Sequence, residues 1–355
     1  MEKDKGRQPA IKIGDFEVAP GERSSINLPV ADLYTHTPLD MPVHVINGRH
    51  PGPRVFVTAA IHGDELNGVE IIRRLLKTKL LNRLKGSLIA VPMVNVFGVL
   101  NHSRYLPDRR DLNRSFPGTG KGSMASRLAS LLMREVVTKC THGIDIHTGA
   151  IHRSNLPHIR ANLDDEQTAK LARAFGVPVL VNANLRDGSL RLASSDLKIP
   201  TLLYEAGEAL RFDEMSIRAG VTGVLNVMRE LGMLPKHTLL KRRLHTPVEA
   251  RSTFWVRSPQ GGILRTHISL GEKVASDTRL ATISDPFGDN EHIVTSPYTG
   301  IVLGRTSLPL VNEGDGLFHI ARVPKPTAVA EAVEQLEEEI LPEAGESSYD
   351  EPEIK

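Results

Sequence analysis

Two short stretches combine imidazole and carboxylate in a way that suits a metal ion: His62-Gly63-Asp64-Glu65 and Asp145-Ile146-His147. A histidine at the end of a strand and a carboxylate three residues on can converge on one ion if the chain turns sharply between them, and Gly63 permits such a turn. The second stretch closes another apolar run and brings a second imidazole to the same rim, provided the two strands are neighbours. Two histidines and a glutamate are the ligand set of a catalytic zinc site, whose fourth position stays open for water. His62, Glu65 and His147 are therefore expected to hold one zinc ion per chain. His50, His102, His142, His152 and His158 lack this strand-end placement and read as ordinary surface or core residues. Of these, His142 and His152 are alternates only through their nearness to His147.

A third apolar run, Thr201-Leu202-Leu203-Tyr204, ends at Glu205. A buried carboxylate without a partner is costly, so a neighbouring cation or a raised pKa is expected there. Zinc-bound water would supply that partner. Glu208 lies beyond the run and reads as a solvated loop acid. Between the two metal stretches come Arg104 and then Asp111-Leu112-Asn113-Arg114. Adjacent Asn and Arg suit a carboxylate, one giving an amide donor and the other a bidentate fork, and a further Arg suits a developing oxyanion. Arg109 and Arg110 read as solvated. Gly118-Thr119-Gly120-Lys121-Gly122-Ser123 has the look of a phosphate loop, but Lys121 is followed by glycine and no strand leads into it, so a nucleotide site is rejected.

These residues need a sheet to position them. Arg54 to Ile61 is a short β-branched run typical of a strand buried on both faces, Gly68 to Leu81 has helical apolar spacing, and Ser87 to Val94 is a second buried strand. That is a strand, helix, strand unit of an α/β sheet. The alternation continues with helices near Ser123 to Thr138, Asp164 to Phe175 and Asp213 to Leu231, and strands near Gly143 to His147, Val177 to Val181 and Pro200 to Glu205. Residues 1–236 are expected to form one α/β domain that opens with short strands and turns. Residues 237–323 change to short strands separated by Gly and Pro, a separate β domain. Residues 324–355 are acidic and apolar-poor, expected to stay mostly mobile with a transient helix at Ala328 to Ile340.

Within the β domain, Ser258-Pro259-Gln260-Gly261-Gly262-Ile263-Leu264 is echoed by Ser296-Pro297-Tyr298-Thr299-Gly300-Ile301-Val302, two copies of one hairpin unit. The pattern resembles the duplicated barrel-sandwich of lipoyl and biotinyl domains. The segment joining the copies, Asp285 to His292, has no lysine to carry either group, so the domain is expected to cap the enzyme domain and bear no cofactor.

The 355 residues carry 44 basic and 42 acidic side chains, a formal charge of +2, so no global field favours nucleic acid or an anionic membrane. The lone Cys140 excludes an intrachain disulfide and a thiolate-rich metal site. No run is long and apolar enough for a transmembrane helix, and the charged start from Glu2 to Lys5 has no signal-peptide core. A cytoplasmic location is expected.

In the order His62-x-x-Glu65, Arg104, Asp111-Leu112-Asn113-Arg114, Asp145-x-His147, Glu205, residues 40 to 235 resemble the succinylglutamate desuccinylase/aspartoacylase family of the zinc carboxypeptidase superfamily. The resemblance implies an α/β fold, a mixed β-sheet flanked by helices, with a smaller C-terminal β domain that walls the active site. It implies that His62, Glu65 and His147 ligate zinc, that Asp111 orients His62, that Arg104 polarises the scissile carbonyl, that Asn113 and Arg114 clasp the substrate carboxylate, and that Glu205 is general base and then acid. The spacing from Arg104 to Asn113 includes the insertion-like Pro107 to Arg110, a departure that bears on Arg104. The implied reaction is hydrolysis of the amide of a small N-acyl amino acid. A carboxypeptidase trimming a short peptide would use the same zinc and clamp, and a metal-binding scaffold with a vestigial site is the rival from another class. Retention of Glu205 and Arg104, which zinc binding alone does not require, argues against the scaffold.

Overall fold

The computed structural model describes residues 8–236, 247–323 and 331–336. A mixed sheet of 13 strands runs through the molecule. Across its centre the spatial order is Arg153–Ala161, Thr201–Glu208, His142–Gly149, His50–Ala59, Lys85–Val91, Pro38–Asn47 and Arg23–Asp32. The strands at 201–208, 142–149, 50–59 and 85–91 are mutually parallel, and their neighbours at 153–161 and 38–47 are antiparallel to them. Continuous apolar runs form the parallel strands because both faces are covered: Val55, Phe56 and Val57 are each 0% exposed.

Helices Asn67–Lys77, Glu166–Phe175 and Glu214–Glu230 cover one face, packing Ile71, Ile72, Leu75, Phe175 and Val224 against Tyr204 and the strands. Helices Met124–Glu135 and Leu190–Asp196 cover the other through Leu128, Leu132 and Leu190. Helix starts are marked in the sequence: Ser123, Asp165, Ser189 and Asp213 each accept a backbone N–H of the first turn, a contribution of about 1 kcal/mol apiece.

The helix expected over Gly68 to Leu81 stops at Lys77, where Thr78 turns extended at ψ 119° and a 3₁₀ turn, Lys79–Arg83, follows. The strand Arg153–Ala161 is an element the sequence reading lacked. Pro157 lies inside it, between His158, which pairs with Glu205, and Asn155, which pairs with Gly207. The register shifts there, and a proline is tolerated in a sheet at such a bulge.

The C-terminal strands are partly continuous with this sheet. Gly300–Thr306 pairs with Arg153–Ala161, then Gly316–Arg322 and Ser252–Arg257 follow, while Val248–Ala250 pairs with Val179–Asn182. A second sheet has the order Glu291–Thr295, Arg279–Ser284, Gly262–Thr266 and Leu310–Val311. The internal repeat is visible in the pairing. Lys273–Val274 after the first copy pairs with the second copy at Gly300 and Ile301, and Leu310–Val311 after the second copy pairs with the first at Gly262 and Ile263. Ser258 and Ser296 make the same bond, each hydroxyl donating to the carbonyl two residues on, at 2.6 and 2.7 Å.

Of the expected acidic tail, only 331–336 falls among the described residues; it is helical, with Ala332 3% and Val333 5% exposed, and the rest of that expectation lies outside them. Among the described residues no helix is long and apolar enough to cross a membrane.

Candidate active site

His62 follows the central strand His50–Ala59, and His147 and Glu205 stand at matching register on the next two strands, His142–Gly149 and Thr201–Glu208. All three lie at the carboxyl ends of parallel strands, where open α/β sheets place ligands. The condition set by the sequence, that the two histidine-bearing strands be neighbours, is met.

The turn that lets His62 and Glu65 converge is built differently from expectation. The Glu65 backbone N–H donates to the His62 carbonyl at 3.1 Å to close it, and Ala60, just ahead of His62, is left-handed at φ 51°. Gly63 has another cause: a Cβ there would stand 2.0 Å from the backbone carbon of Gly98, so it is glycine because two chain segments touch.

His62 Nδ1 lies 2.7 Å from Glu65 Oε1, His147 Nδ1 lies 2.7 Å from Glu65 Oε2, and the two Nδ1 atoms are 3.2 Å apart. Their other nitrogens are tied back, His62 Nε2 to Asp111 Oδ1 at 3.1 Å and His147 Nε2 to Asp145 Oδ2 at 2.7 Å. Asp145 is in turn held by the Thr58 hydroxyl at 2.8 Å, and Asp111 by the Asn113 backbone N–H at 2.8 Å. Each Nε2 faces a carboxylate behind its ring and each Nδ1 faces Glu65 at the centre, so a cation bound there would meet two Nδ1 lone pairs, with the ring protons kept on Nε2 by Asp111 and Asp145. Three electron-rich groups, all buried and with ligand atoms within 4.8 Å of one another, thus face one point. Such a cluster calls for a cation, and its donors, two imidazoles and a carboxylate with carboxylates behind the imidazoles, fit zinc.

The same crowding shifts the titrations. Burial opposes charge on His147, yet the carboxylates of Asp145 and Glu65 outweigh it and hold the pKa well above the ordinary value. Burial likewise opposes charge on His62, and Glu65 and Asp111 raise it. Glu65 and Asp111 are held below the usual carboxylate range despite burial, the first by the two imidazoles and the second by His62 and Arg104. Glu205 goes the other way. Burial raises it, against the opposing charges of Arg160 and His147.

A cavity of about 420 Å³ opens over these groups, and Arg104, Asn113, Arg114 and Glu205 all line it with the three candidate ligands. Arg104 reaches Glu65 Oε1 at 3.3 Å and Asp111 Oδ2 at 3.1 Å. Asn113 Oδ1 accepts from the backbone N–H of Leu190 at 3.0 Å, so its orientation is fixed by the Leu190–Asp196 helix. The Arg114 guanidinium donates to the Asn113 carbonyl at 2.5 Å.

Glu208, expected as a solvated acid, is buried at 6% exposure: Ser307 Oγ donates to it at 3.1 Å and Arg211 stands 3.5 Å away. Of the remaining histidines, His142 is bonded to Thr141 and Gln167 away from the cavity, and His152 is exposed. His158 departs from its bland reading: it is 1% exposed, lines the cavity, and is pushed by burial down to about 4.

The sequence reading also missed Asp145 as the partner of His147, and Asn155, Arg160, Arg186, Arg191, Trp255 and His319 on the cavity wall. Burial lowers Arg191 to about 10, helped by the like charges of Arg160 and Arg186, and lowers His319 to about 3. His319 stacks on Trp255, ring centroids 4.8 Å apart and planes within 9°, with the Arg153 guanidinium 5.0 Å from the indole. The alternation in Ser252–Arg257 and Gly316–Arg322 was the available signal for these two, but it does not say which face meets the α/β sheet.

A mixed sheet with an imidazole–carboxylate–imidazole cluster at its strand ends and β strands walling the cavity defines the class. The family model for the succinylglutamate desuccinylase/aspartoacylase catalytic domain matches residues 51–231, and the chain belongs to that family. Among curated proteins it is 26% identical over 345 residues to the N-alpha-acetyl-L-2,4-diaminobutyric acid deacetylase of Halomonas elongata, covering 91% of this chain and 98% of the relative. Among solved structures, a succinylglutamate desuccinylase/aspartoacylase from Rhodobacter sphaeroides superposes with TM-score 0.75 at 22% identity, over 91% of this chain and 98% of the other; at that identity the likeness is one of fold. The product-bound ectoine utilization protein EutE (DoeB) of Ruegeria pomeroyi gives TM-score 0.74 at 25% identity, over 84% of this chain and 94% of the other.

Proposed function

We propose that this chain is a zinc-dependent amidohydrolase that deacylates a small N-acyl amino acid. The observation that carries the reading is the convergence of His62, Glu65 and His147 within one Nδ1, Oε, Nδ1 cluster beside Glu205. The H. elongata relative, a deacetylase of an N-acyl diaminobutyrate by its name and matched along nearly its whole length, supports the same reaction class.

Zinc held by His62, Glu65 and His147 would supply Lewis acidity and a water of lowered pKa. The chain's own residues do the rest. Glu205 takes a proton from the attacking water, and its burial makes the protonated form attainable, so the same carboxyl delivers the proton to the leaving nitrogen. Asp111 and Asp145 fix the imidazole orientations. Arg104 meets the oxygen of the tetrahedral species, and Asn113 with Arg114 receives the substrate carboxylate. The products are a carboxylic acid and a free amine. In this reading residues 1–236 carry catalysis, 237–323 shape the pocket without a cofactor, 324–355 are an acidic tail, and the protein works in the cytoplasm.

The test is metal analysis and amine release on one preparation of the purified chain. About one zinc per chain is expected, with amine release from N-α-acetyl-L-2,4-diaminobutyrate or another member of an N-acyl amino acid panel. Release of C-terminal residues from short peptides in preference would move the assignment to a carboxypeptidase. Full zinc occupancy with no turnover of any member would refute it.

A further inference from the structure

Glu205 is reached from the C-terminal strands through one side chain. Asn155 Nδ2 donates to Glu205 Oε2 at 3.0 Å, the only hydrogen bond to that carboxylate among the described residues. Backbone geometry creates this contact. Along Thr201–Glu208 the register to Arg153–Ala161 shifts between Glu205 and Gly207, and Gly207 sits at φ 73°. A bulge with a left-handed glycine re-aims the side chains around it, and here Asn155 is brought within reach of Glu205.

On its other side Asn155 pairs with Gly304 of the strand Gly300–Thr306. Asn155 Oδ1 lies 2.6 Å from where a Cβ on Gly304 would stand, and the His319 Cβ 3.4 Å from it, so the amide occupies the space that glycine leaves. The seam around it is locked. Thr306 Oγ1 and the Ser307 N–H both donate to the His152 carbonyl, at 3.2 and 2.8 Å, and Ser307 Oγ donates to Glu208 at 3.1 Å.

We propose that Asn155 is a positioning residue for Glu205, and that Gly304, from the far C-terminal strand, keeps its amide in place. Holding Oε2 leaves Oε1 as the proton acceptor and stops the carboxylate turning to Arg160, which lines the same cavity. The inference rests on the reading of Glu205 as the proton shuttle.

It is tested on the full-length zinc-loaded chain, with N-α-acetyl-L-2,4-diaminobutyrate or the panel member that wild type turns over fastest. Asn155→Ala should lower kcat about tenfold or more while KM changes less than about threefold, because the substrate clamp is untouched. Asn155→Asp, which keeps the shape but has no N–H donor, should lose at least as much. Gly304→Ala should lose a similar factor in wild type and less than about twofold more in the Asn155→Ala background, since the crowded oxygen is already gone. The double variant Glu205→Gln/Asn155→Ala should be no slower than Glu205→Gln alone. Zinc content and the thermal midpoint should hold in Asn155→Asp. If Glu205→Gln is inactive but Asn155→Ala and Asn155→Asp turn over within about twofold of wild type, or if the Asn155 and Glu205 losses multiply, the positioning role is wrong and the shuttle stands. If Glu205→Gln itself keeps wild-type turnover, the shuttle reading falls and takes this proposal with it.

Discussion

In the proposed mechanism two demands meet at Glu205: a base must be ionised to take a proton, and an acid must be protonated to return one. Burial raises its pKa, while Arg160 and His147 pull the other way, which brings the two forms closer in free energy. Glu205→Gln keeps the volume and the acceptor for Asn155 but removes the titrating oxygen. Turnover should fall by roughly 10² to 10⁴ with zinc content unchanged, since no candidate ligand is touched. A variant that kept near wild-type kcat at full zinc occupancy would hand the role to another acid, and Glu208, bound to Ser307 and Arg211, is poorly placed for it. His62, His147 and Glu205 stood out in the sequence because each follows an apolar run, where a polar residue has a reason to be, and Glu65 through its spacing three residues after His62. Asn155, His158 and Arg160 did not, because Pro157 hides the strand that carries them and their partners lie on other strands distant in sequence, Glu205 and Gly304 for Asn155 among them.

The two helices behind the site share an apolar core through Ile71, Leu75, Ile217 and Val224, and one guanidinium adds a polar tie between them. Arg74 of Asn67–Lys77 donates to Glu70 Oε1 at 2.7 Å and to both oxygens of Glu214, on Glu214–Glu230, at 2.7 and 2.9 Å. The helix bearing Arg74 begins two residues after Glu65, so this bridge also braces the turn that carries two candidate ligands. The hydrogen bonds from Arg74 bring Glu214 down to about 2. A depressed carboxylate pKa stabilises the fold above its ordinary value, and that stability is lost as pH falls through the folded value. Arg74→Met should therefore cost about 1 kcal/mol at pH 7, discounted because the Glu214 side chain is 42% exposed, and the gap to wild type should close by about pH 2. Urea unfolding at both pH values measures it; an equal gap at both would mean that packing, and not charge, is lost. The four longer helices were legible from apolar spacing, whereas the short helices Val96–Leu100 and Leu190–Asp196 were not. Nor were the ends of the longer ones: Thr78 breaks the expected helix while the apolar pattern runs on through Leu80 and Leu81, because Leu81 is buried from a 3₁₀ turn as well as it would be from a helix.

Over the whole molecule charge nearly cancels, 44 basic against 42 acidic side chains, yet the cavity collects Arg104, Arg114, Arg153, Arg160, Arg186 and Arg191. Only Arg104 of these has an ion-pair partner among the described residues. Six arginines against two glutamates, Glu65 and Glu205, leave the wall net positive, and such a concavity in a neutral body focuses its field at the mouth and raises the local concentration of an anionic ligand. The Debye length shrinks from about 10 Å at 0.1 M salt to about 3 Å at 1 M, so this attraction is the part of recognition that salt removes. For an N-acyl amino acid carrying a free carboxylate, kcat/KM should fall several-fold between about 20 mM and 0.5 M sodium chloride, while kcat stays nearly constant because the bound substrate is already in contact. The methyl ester of the same substrate, without the carboxylate charge, should lose the dependence along with most of its affinity. Arg186 is exposed at the mouth and makes no ion pair among the described residues, so Arg186→Ala should flatten the salt slope more than it changes kcat. A salt-independent kcat/KM for the free acid would mean that the arginines act by contact alone, and a slope equally steep for the ester would place the effect on protein conformation instead of on the field at the cavity.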